Sequence, residues 1–261
     1  RIDKTSLNLT IQGAHFHKTE TARNLGIIFD TNNTWKTLVT AQVAKAIGKL
    51  KSLYHAKHIL SMETKKSLTD ALIILSVIEY GAHVLSDMSS ELSKQIQIIQ
   101  NHCVRFTFNK RKREHITAFR NKLNWLDMNN RRKYHTLVLT HQVLTIKTPS
   151  YLHQKLTNSF HEHKYNTRHK DKLRAPKSKT NTYSKSFVAT AVKYWNNLPE
   201  SLASIKSTGH FKKKIEKIPS GSANYSNYLN EELYCLCIQI IIQLINYYFI
   251  YFFPISSYCQ Y

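Results

Sequence analysis

The apolar residues of this chain change their spacing near residue 35, from every second position to every third or fourth. Leu7, Leu9 and Ile11 alternate with polar residues, and Gly13 then interrupts the run. Alternation is the period of a half-buried strand, and glycine is typical of a hairpin turn. We therefore predict an N-terminal hairpin that pairs with a further strand at residues 24–29 to form one small sheet.

Residues 24–29 continue the alternation. Leu25, Ile27 and Phe29 are separated by Gly26 and Ile28, which predicts a short buried strand with a close backbone approach at the glycine. The polar run at residues 30–34 then predicts a turn, because Asp and Asn side chains bond their own backbone there.

Helical spacing begins after residue 35. A first helix is predicted over residues 36–57, with an apolar stripe at Val39, Val43, Ala46 or Ile47, Leu50, and Leu53 or Tyr54. A second helix is predicted to start at an N-cap on Ser61 and to end at Tyr80 and Gly81. Its predicted buried face consists of Leu68, Ala71, Leu72, Leu75 and Ile78.

Further helices follow. Ser89 or Ser90 is predicted to cap a third helix, which buries Leu92, Ile96, Ile99, Cys103 and Phe106. An apolar knot at residues 123–128 precedes a fourth long helix, which Pro149 ends. A stripe between Phe187 and Leu198 predicts another helix, and Ser207 is a candidate cap for a last one.

Residues 158–186 are polar and basic, with Tyr165 and Tyr183 interleaved. Such a segment buries too little surface to offset its ordering entropy, so we expect a flexible basic loop. The predicted fold is mostly α (α+β): a small N-terminal β-hairpin sheet, a helical bundle, this loop and an apolar C-terminal tail. The predicted divisions are residues 1–35, 36–108, 109–218 and 219–261.

The charge of the chain indicates what kind of partner it binds. The chain carries 38 Lys and Arg against 16 Asp and Glu, a net charge of +22. Such a chain seeks polyanions, with nucleic acid as the first expectation and anionic membrane as the second. The 4 cysteines form no Cys-x-x-Cys pair, which suits a reducing compartment, nuclear or cytoplasmic. No secretory signal precedes residue 24, and a start at Arg1 without Met favours a piece of a longer protein.

Several of these stretches carry a family resemblance. "NLGIIFD" followed by Trp35, "LTDALIILSVIEYGAHVL", "IQIIQNHCVRF", "LNWLDMNNRRKYHTLVLTHQVL" and "SFVATAVKYWNNLPESL" occur in this order. Together they resemble the part of non-LTR (LINE, jockey-like) retrotransposon reverse transcriptases that follows the catalytic centre. The resemblance covers roughly residues 5–218 and implies the thumb and post-thumb region of an RNA-directed DNA polymerase. It also implies a primer-grip-like role for the strand at Leu25 and Gly26.

The chemistry of nucleotidyl transfer is not expected within this chain. Two-metal catalysis needs clustered carboxylates, but the six Asp residues stand apart at positions 3, 30, 70, 87, 127 and 171. The resemblance begins downstream of the paired-Asp loop. We therefore predict no catalytic residue, no metal site and no cofactor here, with divalent metal implied only for the catalytic part elsewhere.

Binding is the expected function, with RNA and DNA in a primer–template duplex as the partner and the element's upstream polymerase and endonuclease regions as further partners. Phosphate contacts are expected from three basic groups. These are Lys110, Arg111, Lys112 and Arg113; Arg131, Arg132 and Lys133; and Arg168, Lys170, Lys172, Arg174, Lys177, Lys179 and Lys185.

Two other functions remain open. An uncharged apolar run begins at Leu233 and ends at Phe253, which makes it a candidate membrane segment on hydropathy. Gln239, Gln243 and Asn246 would be costly in lipid, so a non-native extension is the preferred interpretation. The alternatives are a membrane-associated basic protein anchored by this tail, and a host-adopted nucleic-acid-binding or interaction module.

Overall fold

The computed structural model describes residues 9–11, 14–16, 19–156 and 172–215, and the fold over these ranges is mostly helical. The predictions for Leu7, Gly13, Arg168, Lys170 and the 219–261 tail lie outside the described residues. Short antiparallel strands precede the helices, as the spacing of apolar residues predicted.

The N-terminal strands form two separate hairpins. β1 (Leu9–Ile11) pairs antiparallel with β2 (Ala14–Phe16), and β3 (Thr21–Asn24) pairs antiparallel with β4 (Ile27–Asp30). The prediction of one sheet joining the first hairpin to residues 24–29 is therefore wrong. The alternation could not reveal this, because it fixes the face of a strand and leaves its partner open.

Leu25 and Gly26 are turn residues, so their assignment to a strand is wrong. Their φ angles are 46° and 83°, and both lie in the left-handed region that a tight two-residue hairpin turn requires. The close approach predicted at Gly26 is confirmed, since a Cβ there would lie 3.3 Å from Cε1 of Tyr80. The hydroxyl of Tyr80 donates a hydrogen bond to the carbonyl oxygen of Leu25.

Asp30 organises the corner between β4 and the first helix. Its Oδ1 accepts hydrogen bonds from the backbone N–H of Thr34 at 2.8 Å and of Asn32 at 3.1 Å. Its Oδ2 accepts from the N–H of Trp35 at 3.0 Å. The predicted turn at residues 30–34 is thus confirmed, and it places the buried Trp35 ring edge-on against Phe29.

A first apolar cluster joins β4 to three helical stretches. They are α1 (Lys36–His55); α2 (Met62–Thr69), which continues as a π-helical segment (Asp70–Ile78); and α3 (Ser90–Thr107). Val84–Asp87 forms a 3₁₀ turn before α3. The caps are as predicted: Ser61 accepts from the N–H of Thr64, and Ser89 accepts from the N–H of Leu92. Gly81, with φ of 73°, lies just beyond the end of the second helix.

The π-helical segment changes which residues are buried. Its winding is visible in the hydrogen bond from the N–H of Glu79 to the carbonyl of Ile74, five residues back. One additional residue per turn moves the buried face to Ile73, Ile74, Val77 and Ile78. The predicted face is therefore wrong apart from Ile78, and Leu72 is 40% exposed. The carbonyl oxygen of Leu72 accepts hydrogen bonds from Lys49 Nζ at 2.9 Å and Ser76 Oγ at 2.6 Å.

A second apolar cluster forms around α5 (Met128–Ile146). Residues 134–141 of this helix are all buried, because α3, α8 and α10 pack on different sides of it. The shorter helices are α4 (Thr117–Lys122), α6 (Ser150–Lys155), α7 (Asn181–Ser184), α8 (Phe187–Asn196), α9 (Glu200–Ala203) and α10 (Thr208–Ile215). The two clusters meet at residues 126–128, whereas the predicted division fell after residue 108.

The described part of the basic segment has more structure than predicted. Leu173 is 2% exposed, and its backbone is held on both sides by the amide of Asn196, at 2.9 Å and 2.8 Å. α7 follows before α8 begins. One apolar residue with a specific amide partner therefore anchors a stretch whose composition alone indicated a loop.

No helix within the described ranges combines the length and the apolar character needed to cross a bilayer. The run from Leu233 to Phe253 lies outside those ranges, so its role stays a prediction.

Candidate nucleic-acid interface

The first predicted basic group lies in a loop that leaves the end of α3. Asn109 adopts a left-handed conformation, with φ of 54°, and ends the helix. Its side-chain oxygen accepts a hydrogen bond from Lys65 Nζ at 3.1 Å, and the N–H of Lys110 donates to the carbonyl of Arg105 at 2.8 Å. The start of the loop is thus fixed to both α2 and α3.

Glu114 holds the loop together. It accepts a hydrogen bond from the backbone N–H of Arg111 at 2.7 Å and forms an ion pair with Lys110 at 3.0 Å. These contacts, with the backbone N–H contributing most, lower the pKa of the Glu114 carboxyl below its ordinary value. One of the four cations is therefore engaged inside the loop.

Phe119 of α4 provides a platform for this loop. Lys110 Nζ lies 4.6 Å from the centre of its ring and Lys122 Nζ lies 5.7 Å from it. The ring of Phe108, at the end of α3, packs against Phe119 with centroids 4.9 Å apart. Cations near an aromatic ring are attracted by its quadrupole, so this contact anchors the loop to α4.

Arg111, Lys112 and Arg113 are the exposed cations of the loop. Among the residues that the structure describes, none of these three forms an ion pair. Three consecutive exposed cations on a backbone fixed at both ends are suited to contact with successive phosphates.

The second predicted group lies on α5 and faces the protein. Arg131 forms an ion pair with Glu79, and the two side chains are only 11% and 9% exposed. Arg132 donates a hydrogen bond to Ser93 Oγ at 2.6 Å and another to Asn129 Oδ1. Lys133 Nζ lies 5.6 Å from the centre of the Tyr194 ring. This group thus differs from the loop cations in its contacts. Arg131 has its charge partner in the interior, whereas Arg111, Lys112 and Arg113 are exposed.

The third predicted group is only partly described. Lys172, Arg174, Lys177, Lys179 and Lys185 are exposed. The carbonyl of Lys185 accepts a hydrogen bond from Ser86 Oγ at 3.1 Å, which ties this stretch to the 3₁₀ turn before α3. Arg168 and Lys170 lie outside the described residues.

Buried titratable groups surround Arg131. Burial, reinforced by His135, lowers the pKa of His83 to about 3. Burial, reinforced by the charges of Arg131 and Lys212, lowers the pKa of His135 to about 3. Glu79 Oε2 lies 3.3 Å from His135 Nε2 and favours the charged ring, but burial and the Arg131 charge outweigh it. Burial also raises the pKa of Asp70, against the hydrogen bond that Trp125 Nε1 donates at 3.3 Å.

Cys103 is a core thiol, as predicted. It is fully buried, and burial together with the nearby Asp70 raises its pKa to about 12. Over the described ranges no three His, Cys, Asp or Glu residues are grouped as metal ligands. The prediction that metal belongs to a catalytic part elsewhere stays a prediction.

Sequence analysis missed two parts of the interface. Phe119 and Lys122 have the i, i+3 spacing of helical neighbours, so their contact could have been inferred. No sequence spacing indicates that Lys110 approaches the same ring. The polar cleft beside Arg132, described below, is formed by four separate elements and has no local sequence signal either.

Comparisons of this chain with protein-family models, with curated proteins and with solved structures found no match. The resemblance to non-LTR reverse transcriptases therefore stays a prediction drawn from the sequence.

Proposed function

We propose that this chain binds nucleic acid through its basic surface, as the thumb and post-thumb part of a LINE-like reverse transcriptase, with the polymerase carboxylates in another part of that protein. The observation that carries the proposal is the loop of Arg111, Lys112 and Arg113, fixed by Lys110 and Glu114 on the Phe119 platform. The net charge of +22 supports it.

The proposed mechanism is neutralisation of backbone phosphates. The loop cations contact one stretch of the duplex, and the exposed Lys177, Lys179 and Lys185 supply further phosphate contacts. Such contacts read the shape and charge of a primer–template duplex and carry no base specificity. Arg131 is left out of the proposed surface, since its charge is matched by Glu79.

The test is a titration of the full chain against a fluorescent RNA–DNA primer–template duplex over a series of salt concentrations. We expect log K to fall linearly with log salt. The triple variant Arg111→Gln, Lys112→Gln, Arg113→Gln is expected to reduce the magnitude of that slope by about 2 to 3, with one unit per lost phosphate contact.

The matched control removes the same net charge elsewhere. Lys36, Lys45 and Lys51 are exposed on α1, and their triple replacement by Gln is expected to change the slope by less than about 1. A wild-type slope near zero, or equal losses in the two triple variants, overturns the proposal. Primer extension by the isolated chain with Mg²⁺ would overturn the placement of the carboxylates elsewhere.

A further inference from the structure

A polar cleft of about 460 Å³ lies between the 3₁₀ turn before α3, the first turns of α3 and α5, and α8. It is separate from the 110–113 loop, and none of the loop residues lines it. Its volume falls in the range of sites that hold small organic ligands.

Among the side chains that the structure describes, the cleft is lined by two cations and by no acidic residue. Lys94 comes from α3 and Arg132 from α5. The hydroxyl of Tyr194 joins them, whereas those of Ser93 and Thr136 donate within the protein, to Asn129 Oδ1 and to the carbonyl of Arg132. Charge and donors of this kind match an anion with several oxygen acceptors, since a guanidinium, an ammonium and a phenol hydroxyl can each donate to it.

Arg132 is held in place in this cleft. Its guanidinium donates to Ser93 Oγ at 2.6 Å, and Ser93 Oγ in turn donates to Asn129 Oδ1 at 2.7 Å. Both hydrogen bonds from the Arg132 side chain leave through one nitrogen, Nη2. Within the described ranges the other guanidinium nitrogens have no recorded hydrogen-bond acceptor, so their donors can serve a ligand. Asp127, whose carboxylate caps the start of α5, acts electrostatically on Arg132.

The N-terminal ends of two helices at the cleft also favour a negatively charged ligand. Ser90 is the first residue of α3 and Asn129 the second residue of α5, and both line the cleft. The N-terminal end of a helix carries partial positive charge, so two such ends add to the effect of Lys94 and Arg132. The lining also includes the apolar side chains of Leu85 and Met88, which suit the body that carries the anion.

We propose that this cleft binds a phosphomonoester on a small organic body, such as a nucleoside monophosphate or the 5′-phosphate end of a strand. Arg132 and Lys94 hold the phosphate, with the hydroxyl of Tyr194 as a further donor, and Leu85 contacts the body. The inference does not rest on the proposed function, because it uses none of the loop cations.

The test uses adenosine 5′-monophosphate, inorganic phosphate and adenosine as probes in calorimetric titrations of the full chain. We expect the monophosphate to bind more tightly than inorganic phosphate, and adenosine to show no binding at about 1 mM, because the phosphate carries most of the interaction. Lys94→Gln is expected to weaken monophosphate binding about fivefold or more. Arg132→Lys, which keeps the charge and loses the fork of donors, is expected to weaken it about tenfold.

Lys45→Gln is the matched control, because Lys45 is exposed on α1 and does not line the cleft. It is expected to leave binding unchanged. Absence of monophosphate binding to the wild type at millimolar concentration, or equal effects of Lys94→Gln and Lys45→Gln, overturns the inference. Circular dichroism of each variant identifies any loss of fold, and Lys94→Gln, at an exposed position, keeps the test decisive if Arg132→Lys unfolds.

Two further arms separate the sources of the phosphate and the two proposals. A 5′-phosphorylated oligonucleotide that binds more tightly than its dephosphorylated form identifies a strand end as the ligand, and equal binding of the two identifies the free nucleotide. The triple variant of Arg111, Lys112 and Arg113 is expected to bind the monophosphate as the wild type does. Nucleic-acid binding and cleft binding can therefore fail independently.

Discussion

Glu79 and Arg131 form an ion pair in the interior, where the end of the second helix meets α5. Their side chains are 9% and 11% exposed, and His135 lies on the other carboxylate oxygen at 3.3 Å. A buried charge that loses its partner is strongly destabilising, because its desolvation is no longer compensated. This relationship explains why one member of a run of cations faces inward.

Glu79→Gln is therefore expected to lower the free energy of unfolding by about 3–5 kcal/mol. The double variant Glu79→Gln, Arg131→Gln leaves neither charge unpaired and should be more stable than Glu79→Gln. Urea denaturation measures both. Glu20→Gln, at an exposed position, is the control and should change stability by less than about 0.5 kcal/mol. A Glu79→Gln variant as stable as the control would show that the pair is not buried.

Stability is expected to depend on pH through His83 and His135. Their pKa values are about 3 in the folded state against 6.5 when unperturbed, so the unfolded chain binds more protons below pH 6.5. The free energy of unfolding should fall as pH decreases from 6.5 towards 3, by at most about 1.4 kcal/mol per pH unit for each histidine.

Urea denaturation at several pH values between about 6.5 and 4 tests this dependence. The variant His83→Gln, His135→Gln is expected to show a shallower pH dependence than the wild type. Replacing the exposed His55 and His58 with Gln should leave the wild-type slope. The raised pKa of Asp70 acts in the opposite direction, but it is present in all three proteins and cancels in the comparison. Equal slopes would contradict buried neutral histidines.

Gly81→Ala should be destabilising, while Gly48→Ala should be stabilising. Gly81 has φ of 73°, and a methyl group there would overlap Cδ1 of the buried Ile27. The left-handed conformation alone costs an alanine about 1–2 kcal/mol, so we expect a loss of about 2 kcal/mol or more. Gly48 lies inside α1 with no atom within 4 Å of the added Cβ, and alanine there should gain about 0.5–1 kcal/mol. Thermal denaturation measures both, and a neutral Gly81→Ala would disprove the contact.

Cys103 should resist thiol reagents until the protein unfolds. Its side chain is fully buried and its pKa is raised to about 12, so little thiolate is present at neutral pH. In a variant with Ser at positions 235, 237 and 259, Ellman's reagent should label no thiol in buffer and one thiol in denaturant. Labelling in buffer at the rate seen in denaturant would place Cys103 outside the core.

The regular helices were predictable from the sequence because their polar and apolar faces alternate cleanly. All five residues predicted to be buried on α3 are buried, and Ser89 caps that helix. The segment of residues 70–78 has almost no polar position after Asp70, so spacing alone could not identify its buried face. The buried residues Ile73, Ile74, Val77 and Ile78 also have helical spacing, on another face of this segment than the predicted one.

The candidate site was predictable only where its charged residues are adjacent in the sequence. The loop of residues 110–113 was found as a run of cations, and it is exposed apart from the half-buried Lys110. The same reasoning gave Arg131 a surface role, because its partner Glu79 is distant in the sequence. Neither the approach of Lys110 to Phe119 nor the cleft around Arg132 could be inferred, since each depends on contacts between separate elements.

The hydrogen bonds that the carbonyl oxygen of Leu72 accepts from Lys49 and Ser76 matter when the second helix is taken out of the protein. A synthetic peptide of residues 62–80 lacks Lys49 and the apolar neighbours, so its intrinsic preference is an ordinary α-helix. A graft of this stretch into another protein would keep its amino-acid sequence and lose its π-helical winding.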